Sequence, residues 1–408
     1  MKFKLKSFDK TFLRNSIYVF LTDICTFFLR FLLNVAIVRS LSKEEFGQYG
    51  YVLSVVALFA FTSLSGMNIA TQRAVARGYD STFKVALRTK AKYALIGLGI
   101  LSIFGIYEYY VRQSNKLAFL FFIAALFFIP HNVIGIYRAF FVGKEQFDRL
   151  FLMILIENLF VVFTTGVVAL LTKSVNFVLI TIFASTSLIQ SFMLIKTLSR
   201  VENEEVDDET ITYGKHLTLV GIFDNIQDRA DRLIINHLMN FSQLAIYILA
   251  IDTVDRIRGL SGFITTTIFP KACKLDSSGL YKNVSSYGIY MTIFYFGMAC
   301  AGALFAHFFI PLLYGSQYRE AVPYTQLSFI NMFLESMIGL FVKILFPSQK
   351  KSGAIVKVII IGMIVKFPLY FLLVPWLQLF GAVLSNITAS VFMLVSSYFI
   401  ANRYFRKG

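Results

Sequence analysis

The chain has 408 residues, 57% of them hydrophobic and only 15% charged, with a formal net charge of +16 and a mean hydropathy of +0.68. Soluble globular chains carry about a quarter of their residues charged, so this composition excludes a soluble enzyme or binding module and indicates an integral membrane protein. The surplus of Lys and Arg, which would suggest nucleic acid in a soluble chain, has to be read here against the placement of membrane spans.

The basic start, with Lys2, Lys4, Lys6, Lys10 and Arg14, runs into an apolar stretch too long for a signal peptide and shows no small-residue cleavage site, which predicts a retained first span. Windows of about 20 apolar residues place twelve spans, at 16–38, 48–66, 91–111, 117–139, 150–171, 175–195, 215–238, 244–268, 287–312, 323–346, 354–375 and 379–400. The expected fold is all-α and integral to the membrane, with twelve transmembrane helices in two six-helix lobes around a central cavity.

Several spans carry charges that an ordinary lipid-facing helix does not tolerate. An ionised side chain at mid-bilayer costs roughly 2.5–3.5 kcal/mol on insertion scales, so it normally faces a partner or a wet cavity. In span one, Asp23, Thr26, Arg30 and Asn34 form one helical stripe. Span four holds Pro130 and His131, where a kink is expected. A relay role for His131 competes there with that of a satisfied core histidine. Span five holds Glu157. Span seven has two stripes, Asp224/Asp228/Asp231 and Asn225/Arg229/Arg232, and span eight lines up Asp252, Asp255, Arg256, Gly259 and Gly262. Gly297, Ala301 and Gly302 in span nine suit close helix packing. Glu335 and Lys343 follow in span ten and Lys366 in span eleven.

Two readings of these charges stay open. They can pair and hold helices together, as Asp228 and Arg232 could at i, i+4. Alternatively, Arg30, Arg229, Arg256, Lys343 and Lys366 can hold an anionic substrate through charge-assisted hydrogen bonds. The acids Asp23, Asp224, Asp252 and Glu335 can then carry a coupled ion or pair with these bases. A cavity lined by spans one, two, seven and eight is the expected setting.

With the N-terminus inside, 26 of the 39 Lys and Arg fall in cytoplasmic segments, Lys90, Arg138, Lys144, Lys271, Lys274 and Lys282 among them, and 6 fall on the opposite side. This bias predicts both termini in the cytoplasm. The polar segment 197–214, with Glu202, Glu204, Glu205, Asp207, Asp208 and Glu209, reads as a solvated acidic linker between a lobe at 1–196 and a lobe at 215–408. An internal repeat at an offset of 198 supports the division: Phe46 to Tyr49 falls on Leu244 to Tyr247, Arg39 on His237, and Arg73 on Lys271. Six spans separate the copies, so the halves share one topology and are expected to be related by an axis along the membrane normal.

Cys25, Cys273 and Cys300 lie apart without CxxC or His-Cys spacing and read as small buried hydrophobes. No metal site or cofactor is expected. The Asn-x-Ser/Thr matches at Asn283 and Asn386 fall on the cytoplasmic side or in a span and do not read as glycan acceptors. No Walker A pattern is present, which excludes ATP-driven pumping within this chain.

The segment Arg39-Ser-Leu-Ser-Lys-Glu-Glu-Phe-Gly-Gln-Tyr-Gly50 resembles the loop after span one in Wzx-type polysaccharide (O-antigen) flippases of the multidrug/oligosaccharidyl-lipid/polysaccharide exporter superfamily. Later blocks resemble the same family: Asp231 to Ile235 with Ile246 to Ala250, Phe269-Pro270 closing span eight, and Leu313 to Pro323 followed by Phe380 to Val383. The last block departs at Tyr314, where Phe would be commoner. The resemblance implies a two-lobed transporter of the bacterial inner membrane. It would move undecaprenyl-diphosphate-linked oligosaccharide from the cytoplasmic to the periplasmic leaflet, with membrane lipid, a glycan polymerase and a chain-length regulator as partners. Nucleic acid is not implied.

Two other classes compete. A membrane polymerase or ligase would need a sizeable external loop bearing acids or bases, and every external loop here is short. An ion-coupled multidrug exporter of the same superfamily would favour acids in its cavity, whereas the in-span bases Arg30, Arg229, Arg232, Arg256, Arg258, Lys343 and Lys366 suit an anionic head group.

Overall fold

The computed structural model describes residues 10–260, 277–349 and 351–405. Phe269, Pro270, Lys271, Cys273 and Lys274, together with the end of span eight, lie outside the described residues. Regular structure among the described residues is helical, as hydrocarbon demands of chains that must satisfy their own backbone groups. The principal helices are α1 (Lys10–Ser40), α2 (Lys43–Leu58), α3 (Met67–Ala76), α4 (Thr82–Tyr110), α5 (Asn115–Val133), α6 (Tyr137–Gly143), α7 (Phe147–Thr172), α8 (Val175–Leu198), α9 (Glu209–Leu238), α10 (Phe241–Leu260), α11 (Ser277–Tyr314), α12 (Val322–Gly339) and α13 (Ser352–Phe405).

Nine of the described helical stretches are long and apolar enough to cross a membrane. The last of these joins two spans across a break at Gln378, where φ is 52° and ψ −134°, just beyond Pro375. The expected spans seven and eight are present as α9 and α10, whose charges keep them out of that set. With the last stretch counted as two and these two added, the expected twelve spans are accounted for.

The chain divides into two compact units, Met1–Ile222 and Phe223–Gly408. In the first unit, Ser42 caps α2 by accepting from the Glu45 amide (3.2 Å), and Glu44 and Glu45 occupy the first turn, where the helix dipole favours acids. Most of α2 is buried, whereas α1, α4 and α7 keep long exposed faces. α4 packs tightly on α5 because Gly97 leaves room for the Phe128 ring. Pro130 lies in the last turn of α5, which continues to Val133. After Val133 a 3-10 turn, Ile134–Ile136, leads into the short α6. Phe83, Tyr137, Phe140 and Phe141 fill the core beneath it.

The acidic linker exposes Glu202, Glu204, Glu205, Asp208 and Glu209, yet it is tied to the first unit. Asn203 donates to the Gly78 carbonyl (2.7 Å) and accepts from the Asp80 amide (3.2 Å), while its own carbonyl accepts from Ser81 Oγ (2.7 Å). Asp207 donates its amide to Thr82 Oγ1 (2.8 Å) and accepts from Thr210 Oγ1 (2.9 Å) and, at the start of α9, from the Glu209 amide (3.4 Å). Lys144 pairs with buried Asp80 (2.6 Å) and reaches Glu202 (3.9 Å). The first turns of α9 pack on this unit: Gly66 donates its amide to Thr218 Oγ1 (3.0 Å).

In the second unit, α11 ends after Pro311 at Gly315, whose φ of 95° suits glycine. Tyr314, the departure noted above, is buried with its hydroxyl 3.2 Å from Thr253 Oγ1 on α10. Pro323 opens α12, where its missing N–H costs nothing. α12 passes into a π-helical turn, Leu340–Leu345. Pro347 would clash with the carbonyl of residue 343 in a regular helix, and the wider turn relieves that contact.

Candidate functional site

Charged side chains within the spans fall into engaged groups and open ones. In the first unit, Glu157 on α7 is fully buried and engaged on both oxygens. Tyr137 Oη donates to it at 2.6 Å, Arg138 Nη2 at 2.6 and 2.7 Å, and Gln190 Nε2 at 2.9 Å. Glu157 is therefore no isolated charge, and Arg138, expected on a cytoplasmic segment, is its ion-pair partner. The physical reason is the break after Pro130, which turns α6 back toward α7.

On the stripe of α1, Arg30 is exposed and its Nε donates to Asn158 Oδ1 (3.1 Å). Asn158 in turn donates to Thr26 (3.0 Å). Asp23 is exposed, with no ion-pair partner among the described residues. His131 packs edge-on against Phe183, 5.2 Å between centroids, and its buried Nδ1 has no hydrogen-bond partner among the described residues. Lys90, expected at the cytoplasmic surface, is buried. It is held by Asn68 Oδ1 (3.2 Å) and the Leu64 carbonyl (3.5 Å). Leu64 is in the left-handed conformation, with φ of 54°, where the chain breaks between α2 and α3.

In the second unit a closed polar ring lies between α9, α10 and α13. Tyr247 Oη donates to Asp231 Oδ2 (2.6 Å) and lies 2.8 Å from Tyr370 Oη. Tyr370 Oη donates to Asn386 Oδ1 (3.1 Å), and Asn386 Nδ2 donates back to Tyr247 Oη (2.9 Å). Lys366 joins the ring from 3.6 Å on Asp231 and donates to the Gln227 carbonyl (2.7 Å). Buried polar groups are retained only when bonded, and these five side chains satisfy one another. Buried Arg232 pairs with Asp252 on α10, a partner from another helix, while Asp228 one turn away is exposed.

Arg258 pairs with Asp255 (3.0 Å) and with Glu335. Glu335 also accepts from Asn331 (2.9 Å), which is bonded by Ser390 (2.8 Å). Asp252 and Glu335, expected to carry an ion or to pair, thus stand in ion pairs.

Arg229 and Arg256 are half-buried and Lys343 is exposed on the π-helical turn. None of the three has an ion-pair partner among the described residues. Asp224 and Asp228 are exposed on α9, and Lys343 lies within electrostatic range of both. Of the bases expected to bind substrate, Lys366 is taken up by protein groups. Arg229, Arg256 and Lys343 keep their donors open to the surroundings.

Tyr247, Tyr370 and Asn386 carry no local signal for their ring, since their partners lie 16 to 139 residues away. Arg138 could have been suspected only from the proline before it, and Lys90, whose partners lie 22 and 26 residues away, carries no local signal. Among the described residues, no group of His, Cys, Asp and Glu could hold a metal ion.

A family model described as polysaccharide biosynthesis protein matches residues 36–323, more than two thirds of the chain. The chain belongs to that family. No curated protein matches this member of the polysaccharide biosynthesis family closely, but its fold is found among solved structures. It is similar to an outward-facing multidrug resistance MATE family transporter of the MOP superfamily, with 11% identity, a TM-score of 0.64, and 96% and 97% of the two chains covered. It is equally similar to a MOP superfamily transporter from Pyrococcus furiosus, described as having a binding pocket of reverse polarity (11% identity, TM-score 0.63, coverage 94% and 95%). The eukaryotic MATE transporter AtDTX14 matches at 10% identity and a TM-score of 0.60, over 98% and 99% of the chains. This member of the polysaccharide biosynthesis family is thus a multi-pass membrane protein with the fold of MOP transporters.

Proposed function

We propose that the protein is a flippase for lipid-linked oligosaccharide. It moves undecaprenyl-diphosphate-linked glycan repeat units from the cytoplasmic to the periplasmic leaflet of a bacterial inner membrane by ion-coupled alternating access. The observation that carries this reading is the sorting of the in-span bases. Buried Arg232 and Lys366 are engaged by acids, while Arg229, Arg256 and Lys343 have no ion-pair partner among the described residues. A guanidinium or ammonium kept in a span without a partner is costly, and an anionic cargo that passes through compensates the cost. The diphosphate of a glycan carrier lipid supplies that charge, in keeping with membership of a polysaccharide biosynthesis family.

Asp224 and Asp228, exposed on α9, favour a second reading, an ion-coupled exporter of organic cations. The solved structure described by a reversed pocket polarity indicates that charge can differ between proteins of this fold. Reconstitution of the purified protein in liposomes separates the two. The flippase reading expects labelled lipid-diphosphate oligosaccharide to become accessible on the far leaflet while cationic dyes stay put. Dye transport without lipid translocation would overturn it. Arg30→Ala should lower translocation and leave membrane abundance normal, and Arg30→Lys should retain part of it, because a point charge holds phosphate without the planar fork.

The proposed orientation has both termini in the cytoplasm. Reporter fusions after Lys43, Lys173 and Arg319 should report outside, and fusions after Arg77, Glu205 and Lys274 inside. Inversion at any of them would refute the arrangement.

A further inference from the structure

Three spans of the first unit have exposed faces whose chemistry changes along their length. On α4, exposed Lys84, Arg88 and Lys92 lead on the same face into exposed Leu95, Ile96, Ile103 and Tyr110, a spacing of three, four and seven residues that keeps one stripe. On α7, Arg149 leads into Leu152, Ile156 and Phe163. On α8 the order is reversed: Leu188, Phe192 and Ile195 lead out to Lys196 and Arg200, with Lys196 Nζ 4.3 Å from the Phe192 centroid.

These cations share one end of the unit. Arg200 lies over Phe141 at the end of α6, Lys144 just before α7 pairs with Asp80, and Asn203 is bonded to the turn that precedes α4.

An exposed apolar stripe of this length faces acyl chains, so cations in line with it stand at the headgroup level and not in an aqueous interior. From Tyr93 to Tyr110, α4 covers about 27 Å at 1.5 Å per residue, close to the ~30 Å hydrocarbon thickness, which leaves Lys84 to Lys92 beyond it. At the other end, Arg112 pairs with Glu108 (3.7 Å) and Lys116 with Glu45 (3.0 Å). Lys84, Arg88, Lys92, Arg149, Lys196 and Arg200 have no ion-pair partner among the described residues, although an acidic linker follows α8. Like charges four residues apart destabilise a helix by a few tenths of a kcal/mol, so the α4 stripe is kept against its own repulsion.

We infer that this belt binds the phosphodiester headgroups of anionic phospholipids. Lys84 to Lys92 alone spans about 12 Å of helix, and Lys196 and Arg200 extend the belt onto another span, an extent that fits several headgroups side by side better than one diphosphate. The inference stands apart from the identity of the cargo.

The test uses the full chain in nanodiscs of phosphatidylcholine containing a minor fraction of spin-labelled phosphatidylglycerol, and reads the share of label immobilised at the protein. The wild type should prefer phosphatidylglycerol over equally labelled phosphatidylcholine. The variant K84Q/R88Q/K92Q should lose about fivefold of that preference for each cation that meets a headgroup, the equivalent of about 1 kcal/mol each. Near 1 M salt, where the screening length is about 3 Å, the wild type should lose it too. K84R/K92R should keep the preference, and melting in neutral detergent should be the same for all forms, which shows that folding is intact. An unchanged preference in K84Q/R88Q/K92Q would overturn the inference. So would immobilisation of spin-labelled undecaprenyl diphosphate without any preference for phosphatidylglycerol, which would mark the belt as a cargo contact.

Discussion

An Asp231→Ala protein should lose roughly 3–5 kcal/mol of stability, the cost of leaving a buried charge without its counter-ion, and should fall in membrane abundance. Asp231 accepts from Tyr247 and faces the Lys366 ammonium, both buried, so its removal strands a cation and a hydroxyl together. Asp231→Asn keeps an acceptor for Tyr247 and should lie between Ala and wild type. Pairing Asp231→Asn with Lys366→Met removes the stranded charge and should recover much of the loss. Thermal unfolding in detergent, with abundance in membranes alongside, reads the series. Equal melting of the Ala variant and wild type would show that the ring does not hold the second unit together.

The opposite pattern is expected at Arg229 and Lys343. Neither has an ion-pair partner among the described residues, so Arg229→Ala and Lys343→Ala should melt like the wild type. If these groups hold a diphosphate, each removes a charge-assisted hydrogen bond of about 1.5–3 kcal/mol. Translocation in the liposome assay should then drop by about 10–100-fold. Arg229→Lys should retain part of the rate. Translocation at the wild-type rate in both Ala variants would remove them from the cargo path and move the assignment to Arg30 and Arg256.

The spans were legible in the sequence because hydropathy and length are local properties. Even α9 and α10 could be placed, since the apolar residues around Asp224 to Arg232 and around Asp252 to Arg258 keep a span's length. The expected spans 354–375 and 379–400 leave a gap at 376–378, and the structure puts the break at Gln378. Partners were not legible, because the helical i, i+4 rule offers only neighbours on the same helix. It suggested Asp228 for Arg232, whereas the structure uses Asp252 from α10. The Tyr247 ring escaped for the same reason, as did the burial of Lys90 and Arg138. Arg138 follows the 3-10 turn after α5, whereas Lys90, inside α4, is held by a carbonyl 26 residues away in the chain.

The clasp between the acidic segment and the turn before α4 bears on how the protein could be cut into separately expressed halves. A cut placed at 200–208, where charge density invites one, would put Gly66 on one polypeptide and Thr218 on the other, and would separate Asp80 and Ser81 from Asn203 or leave Thr82 without Asp207. The two polypeptides would then have to find each other through contacts that normally form within a single strand. A cut between Lys173 and Ser174, in the short turn between α7 and α8, would be no gentler, because it puts Gly66, Asp80, Ser81 and Thr82 on one fragment and Asn203, Asp207 and Thr218 on the other. Complementation between fragments should therefore depend on how firmly the first turns of α9 re-engage Gly66.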